Sequence, residues 1–297
     1  MLPTRSALPL ALSALSALTL ALLAGCTAPA PAPTSARDDL EPTTSVSDAV
    51  GQEDQAPAPP PAGAGLDYQL GGAYPPPDGV TVVVRDVTDS PAGAGYDVCY
   101  VNGFQTQPGE SETWLRDHPD LVLRDDDGEP VADPGWPDEL LLDTSTDTAR
   151  REIAQVVGVQ VDACADAGFD AVEPDNLDSF TRSSGALTRD DNLALAALLI
   201  DRAHARGLAI GQKNTVELGE DGRAHGFDFV VAEDCAVHDE CGDYAAAYGT
   251  RVLEIEYDDE PKLSARLADA CARGVSVVGR DRALSTPDDP GYAFESC

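Results

Sequence analysis

Three times in this chain a glycine separates a helix-like segment from a short apolar run, and this recurrence constrains the fold most. Gly168, Gly207 and Gly274 each follow a last turn rich in Ala or Arg and precede a run suited to a strand. Glycine is favoured just after a helix because that residue often adopts a left-handed conformation. Repeated helix–glycine–strand units are typical of a parallel sheet whose strands are connected by helices.

The predicted elements are numerous enough for a barrel. Short β-branched or aromatic runs predict strands, and apolar residues at helical spacing predict helices. The strands are expected at about 68–71, 80–86, 97–103, 170–175, 208–213, 228–233, 251–257 and 275–280, and the helices at 147–167, 189–206 and 261–273. The sequence therefore predicts an α/β protein with the (β/α)8 TIM-barrel fold, which typically needs roughly 250 residues.

The early portion of this barrel is expected to be irregular. The segment between residues 86 and 97 is too short, and too rich in Pro and Gly, for a crossover helix. Residues 104–140 have a loop-like composition, in which 121–124 and 129–131 are expected to form a hairpin. In contrast, Thr188-Arg189-Asp190-Asp191 is a capping-box pattern that marks the start of the second long helix.

The first 65 residues are expected to lie outside the barrel. Residues 7–24 are almost entirely Ala and Leu, the composition of a signal peptide, although an ordinary membrane anchor is the alternative. The run ends in Leu23-Ala24-Gly25-Cys26, which resembles a bacterial lipobox and implies acylation of Cys26 after cleavage before it. Residues 26–65 are rich in Ala and Pro and lack apolar periodicity, which predicts a disordered tether.

The expected organisation is therefore a signal peptide at 1–25, a tether at 26–65 and a barrel domain at 66–297. We expect the protein to be exported and held by lipid at the outer face of the cell membrane, or released from it. A monomer is expected.

The charge of the chain excludes one class of partner. Its 53 acidic and 19 basic residues give a formal net charge of −34. Nucleic acid is not expected as a partner, because phosphate binding needs clustered Lys and Arg. An acidic surface either keeps the protein soluble or attracts a cationic ligand.

The cysteines and histidines bear on disulfides and metals. Seven cysteines become six when Cys26 is reserved for lipid, and an even number in an exported chain favours disulfides. Cys235 and Cys241 flank a short polar loop and are expected to pair, while the other pairings stay open. The four His residues are dispersed and no Cys-x-x-Cys occurs, so neither a metal nor another cofactor is expected.

Polar residues stand at the ends of most predicted strands. Asp175, Lys213 and Glu233 each end a strand run, and Tyr100 lies near the end of another. In a barrel these side chains converge on one mouth. One such acid alone is as readily a helix cap or a solvated loop residue. The whole set favours a site for a polyhydroxylated substrate.

Six motifs occur in an order that resembles glycoside hydrolase family 114, the endo-α-1,4-polygalactosaminidase-like family with a TIM-barrel domain. They are Val98-Cys99-Tyr100-Val101, Asp143-Thr144-Ser145, Val172-Glu173-Pro174-Asp175-Asn176-Leu177-Asp178, Gly211-Gln212-Lys213-Asn214, Ala232-Glu233-Asp234-Cys235 with Cys241, and Glu254-Ile255-Glu256-Tyr257. The resemblance covers about 66–297. It implies hydrolysis of α-1,4-linked galactosamine or N-acetylgalactosamine polymers.

The resemblance also implies roles for individual residues. Asp175 matches the nucleophile and Glu233 the acid/base, which together supply the two carboxyl groups that glycoside hydrolysis needs. A retaining mechanism is favoured on the resemblance alone. The expected substrate-binding residues are Tyr100, Asp143, Asn176, Asp178, Lys213, Asn214, Glu256 and Tyr257. Trp114 and Trp136 either stack on sugar faces or fill the core.

The chain departs from the family pattern at two places near the expected mouth. The helix after the second strand is missing, and Val101-Asn102-Gly103-Phe104 replaces a run of small residues. An alternative function is that of a non-catalytic surface lipoprotein that binds amino-sugar polysaccharide. The presence of both Asp175 and Glu233 favours the enzyme.

Overall fold

Parallel strands in sequence order form the centre of the fold in the computed structural model, which describes residues 57–297. Each strand from β1 to β8 pairs in parallel with the next, and a short β9 pairs antiparallel with β8. The strands are β1 (Gly65–Gln69), β2 (Val80–Asp86), β3 (Tyr96–Asn102), β4 (Ala171–Asp175), β5 (Ala209–Lys213), β6 (Phe229–Glu233), β7 (Val252–Tyr257), β8 (Ser276–Arg280) and β9 (Phe294–Ser296). The predicted barrel fold is confirmed, with β9 as an addition.

Helices surround the strands. They are α1 (Ser111–Asp117), α2 (Asp147–Ala167), α3 (Arg189–Ala205), α4 (Glu220–His225), α5 (Cys235–His238), α6 (Cys241–Tyr248) and α7 (Leu263–Arg273). Short 3₁₀ turns lie at Pro119–Leu121, Ser179–Arg182 and Val216–Leu218. The three long predicted helices correspond to α2, α3 and α7, whereas the four short helices were not predicted.

The ends of the long helices have the predicted chemistry. Gly168, Gly207 and Gly274 have φ values of 92°, 76° and 74°, the left-handed region expected after a helix. Thr188 and Asp191 form the predicted capping box, in which each side chain accepts a hydrogen bond from the other residue's backbone N–H. These caps set where each helix stops and the next strand begins.

The first part of the barrel is irregular, as predicted. Within residues 57–297, no helix lies between β1 and β2 or between β2 and β3. The predicted hairpin is present, with a bridge between Arg124 and Pro130. The predicted strand at 68–71 was misplaced, because β1 begins at Gly65. Its polar residues Asp67 and Gln69 hid the strand pattern, yet both are fully buried.

Successive residues of each strand face opposite sides of the barrel wall. Leu66, Val98 and Phe229 belong to the apolar cluster that fills the interior. Val172 and Ile210 belong to the larger cluster between the strands and the helices. Full burial of one such side chain contributes roughly 1.5–3 kcal/mol. This alternation decides which residues at the ends of the strands point into the mouth of the barrel.

The seam between the first and last parallel strands depends on a side chain. Within the described residues no backbone pairing joins β1 to β8. Arg280 is fully buried there and donates hydrogen bonds to the Tyr68 carbonyl oxygen and to Asp67 Oδ1, the latter at 2.9 Å. β9 occupies the free edge of β8, and the Cys271–Cys297 disulfide joins its end to α7.

The segment before β1 lies at the end of the barrel where the strands begin. The Ala58 carbonyl oxygen accepts a hydrogen bond of 2.7 Å from the hydroxyl of Tyr96, the first residue of β3. The Pro61 carbonyl oxygen is 3.4 Å from the hydroxyl of Ser276, the first residue of β8. Residues 57–64, expected to belong to the tether, therefore contact the barrel. The signal peptide, Cys26 and the rest of the tether lie outside the described residues.

Three disulfides lie in the described part of the chain. Cys99–Cys164 joins β3 to α2, Cys235–Cys241 closes the loop after β6, and Cys271–Cys297 ties the last residues to α7. The second of these is the pairing expected from the sequence. No helix within residues 57–297 is long and apolar enough to cross a membrane.

Candidate active site

A buried lysine occupies the centre of the barrel mouth. Lys213, the last residue of β5, has a side chain only 3% exposed. Its Nζ lies 3.0 Å from Glu173 Oε1, 3.2 Å from Asp175 Oδ1 and 3.3 Å from Glu233 Oε2. It also donates to the Tyr68 hydroxyl at 3.0 Å. Burial alone would lower the pKa of Lys213, but the surrounding carboxylates raise it well above its usual value. The ammonium is therefore charged.

Asp175 ends β4 in a setting that keeps it ionised. Its Oδ2 accepts a hydrogen bond of 2.8 Å from the Tyr100 hydroxyl, and its Oδ1 accepts one of 2.7 Å from the Asn176 backbone N–H. Burial would raise the pKa of Asp175, but Lys213 and these hydrogen bonds outweigh it, and the pKa is lowered. An ionised carboxylate held by directed donors is suited to attack an electrophilic carbon.

Glu233 ends β6 on the other side of Lys213. The Tyr257 hydroxyl donates to Glu233 Oε1, and Asn214 Nδ2 lies 3.4 Å from Oε2. Asn214 Oδ1 in turn accepts from the Glu233 backbone N–H at 2.9 Å, which fixes the strand end. Since Lys213 Nζ is 3.2 Å from one catalytic candidate and 3.3 Å from the other, the facing oxygens of Asp175 and Glu233 are at most about 6.5 Å apart.

Glu173 lies beneath this pair, inside the barrel. It is fully buried, and its Oε1 accepts a hydrogen bond of 2.7 Å from the Tyr68 hydroxyl. Its Oε2 has no hydrogen-bond partner among the described residues. Burial raises the pKa of Glu173 to about 7, against the lowering effect of Lys213. The third carboxyl group beside Lys213 is thus able to keep its proton up to neutral pH.

The mouth holds a cavity of about 570 Å³, within the range of small-ligand sites. Its lining residues are Tyr68, Leu70, Gly71, Asp86, Tyr100, Gln107, Pro108, Trp136, Glu139, Asp175, Asn176, Lys213, Glu233, Tyr257, Arg282, Ala283 and Leu284. Six of the catalytic and substrate-binding residues expected from the sequence are among them. They are Tyr100, Asp175, Asn176, Lys213, Glu233 and Tyr257.

The other four predicted substrate-binding residues do not line the cavity. Asn214 supports Glu233, as described above. Asp143 Oδ1 accepts a hydrogen bond of 2.9 Å from the Ser145 backbone N–H, which stabilises a local turn. Asp178 forms an ion pair of 2.8 Å with Arg182.

Glu256 corrects the prediction most clearly. It is buried on the helix side of β7, where Arg266 binds it at 2.7 Å. The alternation of the strand directs Tyr257 into the barrel and Glu256 outward. Residues an odd number of positions apart on a strand face opposite sides of it. Because Glu256 lies an odd number of positions after the inward-facing Leu253, the sequence alone could have placed it on the outer side.

The sequence leaves the two tryptophans open between sugar stacking and core filling, and it misses three polar residues of the lining. Of the two tryptophans, Trp114 is 4% exposed and fills the core, whereas Trp136 is 61% exposed and lines the cavity. Glu139, Asp86 and Gln107 also line it. The long loop after β3 carries most of these residues, and no periodic pattern indicates where such a loop folds.

One group in the described residues has metal-ligand chemistry but does not fit a metal. Cys235, Cys241 and Glu254 approach one another closely. The two cysteines form a disulfide, and Arg273 binds both oxygens of Glu254 at 2.6 and 2.8 Å. Each of these groups is therefore already occupied.

Comparisons with known proteins agree with this architecture. A family model described as glycoside-hydrolase family GH114 matches residues 47–297. The Ega3 crystal structure from Aspergillus fumigatus, a complex with galactosamine, is 23% identical with a TM-score of 0.64, and the match covers 82% of this chain and 98% of that chain.

The glycoside hydrolase domain of PelA from Pseudomonas aeruginosa is 15% identical with a TM-score of 0.53, covering 75% of this chain and 96% of that domain. At these identities the two structures show the shared barrel fold. A comparison with curated protein sequences found no match.

Proposed function

The chain belongs to glycoside-hydrolase family GH114, and from this premise we propose that it cleaves α-1,4-linked galactosamine or N-acetylgalactosamine polymers with two carboxyl groups. The observation that carries the proposal is the placement of Asp175 and Glu233 on either side of Lys213 in one cavity. Glycoside hydrolysis needs an ionised and a protonated carboxyl group at such a separation.

In the proposed mechanism Asp175 is the nucleophile and Glu233 the acid/base. Asp175 attacks the anomeric carbon while Glu233 donates its proton to the leaving glycosidic oxygen. Glu233 then removes a proton from water, whose oxygen displaces Asp175, so that the anomeric configuration is retained. Lys213 and the Tyr100 hydroxyl support the ionised state of Asp175.

The charge of the cavity supports an amino sugar as substrate. Its ionisable lining comprises Asp86, Glu139, Asp175, Glu233, Lys213 and Arg282. Lys213 is shared among carboxylates, and Arg282 is bound by Asp234 and Asp259, each at 2.8 Å. The acidic groups are therefore in excess, and a cationic sugar suits them. The galactosamine in the Ega3 structure is consistent with this choice.

Hydrolysis of defined oligomers tests the assignment. The purified protein is expected to shorten galactosamine oligomers, seen by mass spectrometry, and the first-formed anomer, followed by NMR, reports retention. Asp175→Asn and Glu233→Gln are expected to keep the fold and lose roughly a hundredfold or more in kcat, because each removes one of the two reacting groups. Glu112→Gln, on an exposed face of α1, is the control. Unchanged rates in both site variants would remove the assignment.

We also propose lipid anchoring at Cys26 of a monomeric enzyme, supported by the Leu23-Ala24-Gly25-Cys26 motif. Mass spectrometry of the mature N-terminus tests the acylation. Cys26→Ser is expected to move the protein from the membrane fraction to the soluble fraction. Analytical ultracentrifugation of the Cys26→Ser protein tests the monomer.

A further inference from the structure

A tight turn at the rim of the cavity has no part in the proposed reaction. Asp133 Oδ1 accepts hydrogen bonds from the backbone N–H groups of Gly135 at 2.7 Å and Trp136 at 3.2 Å. The Glu139 N–H donates to the Trp136 carbonyl oxygen at 2.9 Å. These bonds fix the turn, which we call the 133–139 turn. It brings one exposed aromatic ring and one carboxyl group to the cavity.

The carboxyl group of Glu139 is only partly satisfied. Glu139 is 6% exposed, and its Oε2 accepts a hydrogen bond of 2.8 Å from Asn102 Nδ2. No donor within residues 57–297 binds its Oε1. Asn102 Oδ1 accepts from Asn176 Nδ2 at 2.9 Å, and Asn176 directly follows Asp175. An acceptor oxygen thus remains available in the same cavity as the nucleophile.

No cation of the described chain neutralises Glu139. Burial raises the pKa of Glu139 to about 7, and the nearby carboxylates of Asp175 and Asp133 act in the same direction. Arg182 opposes them, but its guanidinium is bound by Asp133 at 2.5 Å and Asp178 at 2.8 Å. A cation brought by a ligand would therefore meet a buried carboxyl group that lacks a counter-charge.

We propose that Glu139 binds the ammonium group of a galactosamine unit while Trp136 packs against a sugar face, so that the 133–139 turn selects deacetylated units. The inference rests on the proposed function and names the determinant of its substrate preference. A hydrogen bond from a charged donor to a buried carboxylate is stronger than one from a neutral donor. An N-acetyl group carries no positive charge, so its amide N–H can offer the carboxylate only a weaker bond from a neutral donor.

The Glu139→Gln substitution tests the preference for deacetylated over acetylated oligomers. Glutamine keeps the size of the side chain and the acceptor for Asn102 but cannot carry charge. The kcat/KM for fully deacetylated oligomers is expected to fall roughly ten- to a hundredfold, while that for fully acetylated oligomers changes little. Glu139→Asp, which keeps the charge, is expected to restore part of the preference.

Glu129→Gln is the matched control, because Glu129 lies exposed in a turn of the same loop and outside the cavity. An equal fall for both oligomers, or a larger fall for the acetylated one, overturns the inference. The second of these results would mean that a protonated Glu139 donates to the acetyl oxygen.

A binding measurement distinguishes this inference from the proposed function. Calorimetry measures the binding of galactosamine oligomers to the Glu233→Gln variant, in which the substitution prevents turnover. Glu233 is not among the charged neighbours of Glu139. Adding Glu139→Gln to this variant is expected to raise the dissociation constant of the deacetylated oligomers roughly ten- to a hundredfold. Equal affinities with and without Glu139→Gln overturn the inference. If the wild type cleaves neither oligomer, the proposed function fails, and a Glu139-dependent loss of binding still upholds the ammonium site.

Discussion

At the scale of single residues, Lys213 is the group on which the site depends. Its ammonium touches three carboxyl groups and a tyrosine hydroxyl, and it acts to lower the pKa of both Asp175 and Glu173. The pKa of Asp175 is lowered, whereas the pKa of Glu173 is raised to about 7 by burial. Neighbouring acids with divergent pKa values are a recurrent property of glycosidase sites.

The raised pKa of Glu173 predicts a pH-dependent stability. Between about pH 4.5 and 7 the folded protein keeps a proton on Glu173 that the unfolded chain loses, so stability falls as pH rises through this window. Glu173→Gln removes this dependence. The free energy of unfolding of Glu173→Gln minus that of the wild type should therefore rise by on the order of 1–3 kcal/mol between pH 5 and pH 8.

Urea unfolding at the two pH values measures this difference. Glu112→Gln serves as the exposed comparison, since its carboxyl group lies outside the site. Parallel stability changes in wild type and Glu173→Gln would show that Glu173 is ionised throughout.

The sequence predicts that Asp175 and Glu233 meet at the mouth, but it does not reveal the surroundings that set the charge of Asp175. Asp175 and Glu233 stand in motifs that can be read in order along the chain. The lowered pKa of Asp175 depends on the position of Lys213 and on directed hydrogen bonds, which only the folded barrel defines. Glu139 gave no signal, because an acid before the Leu140-Leu141-Leu142 run has the appearance of a loop residue.

At the scale of elements, the alternation of β7 assigns different roles to adjacent residues. Tyr257 faces the cavity and donates to Glu233, while Glu256 faces α7 and binds Arg266. Tyr257→Phe is expected to lower kcat roughly tenfold or more with a small change in stability, because a hydrogen bond to Glu233, the proposed acid/base, is lost.

Glu256→Gln is expected to lower stability and to leave kcat nearly unchanged. It leaves the largely buried guanidinium of Arg266 without its counter-charge, so the free energy of unfolding should drop by about 1–3 kcal/mol while kcat stays near the wild-type value. Rate measurements and urea unfolding on the two variants test the pair. A large loss of kcat in Glu256→Gln without destabilisation would restore Glu256 to the site.

The long helices and most strands were predictable from sequence, whereas the short helices and β9 were not. α2 coincides with the predicted helix because its apolar spacing and its terminal glycine agree. α6 contains Cys, Gly and three consecutive Ala, so its pattern is weak and its packing comes from tertiary contacts. β9 has three residues and exists only because β8 offers a free edge.

At the scale of the whole molecule, the net charge of −34 should steer a cationic polymer to the enzyme. Raising the salt concentration from 0.1 M to 1 M shortens the screening length from about 10 Å to about 3 Å. The kcat/KM for deacetylated oligomers is therefore expected to fall several-fold, while the value for acetylated oligomers stays nearly constant. Equal salt sensitivity of both substrates would contradict long-range attraction as the cause.

The contacts of Ala58 and Pro61 with the starting ends of β3 and β8 fix the direction from which the chain enters the barrel. The catalytic mouth opens at the opposite pole. A support coupled at residue 57, the first that the structure describes, would therefore hold the enzyme by its base. Long, insoluble glycans could approach from outside without passing between the protein and its support.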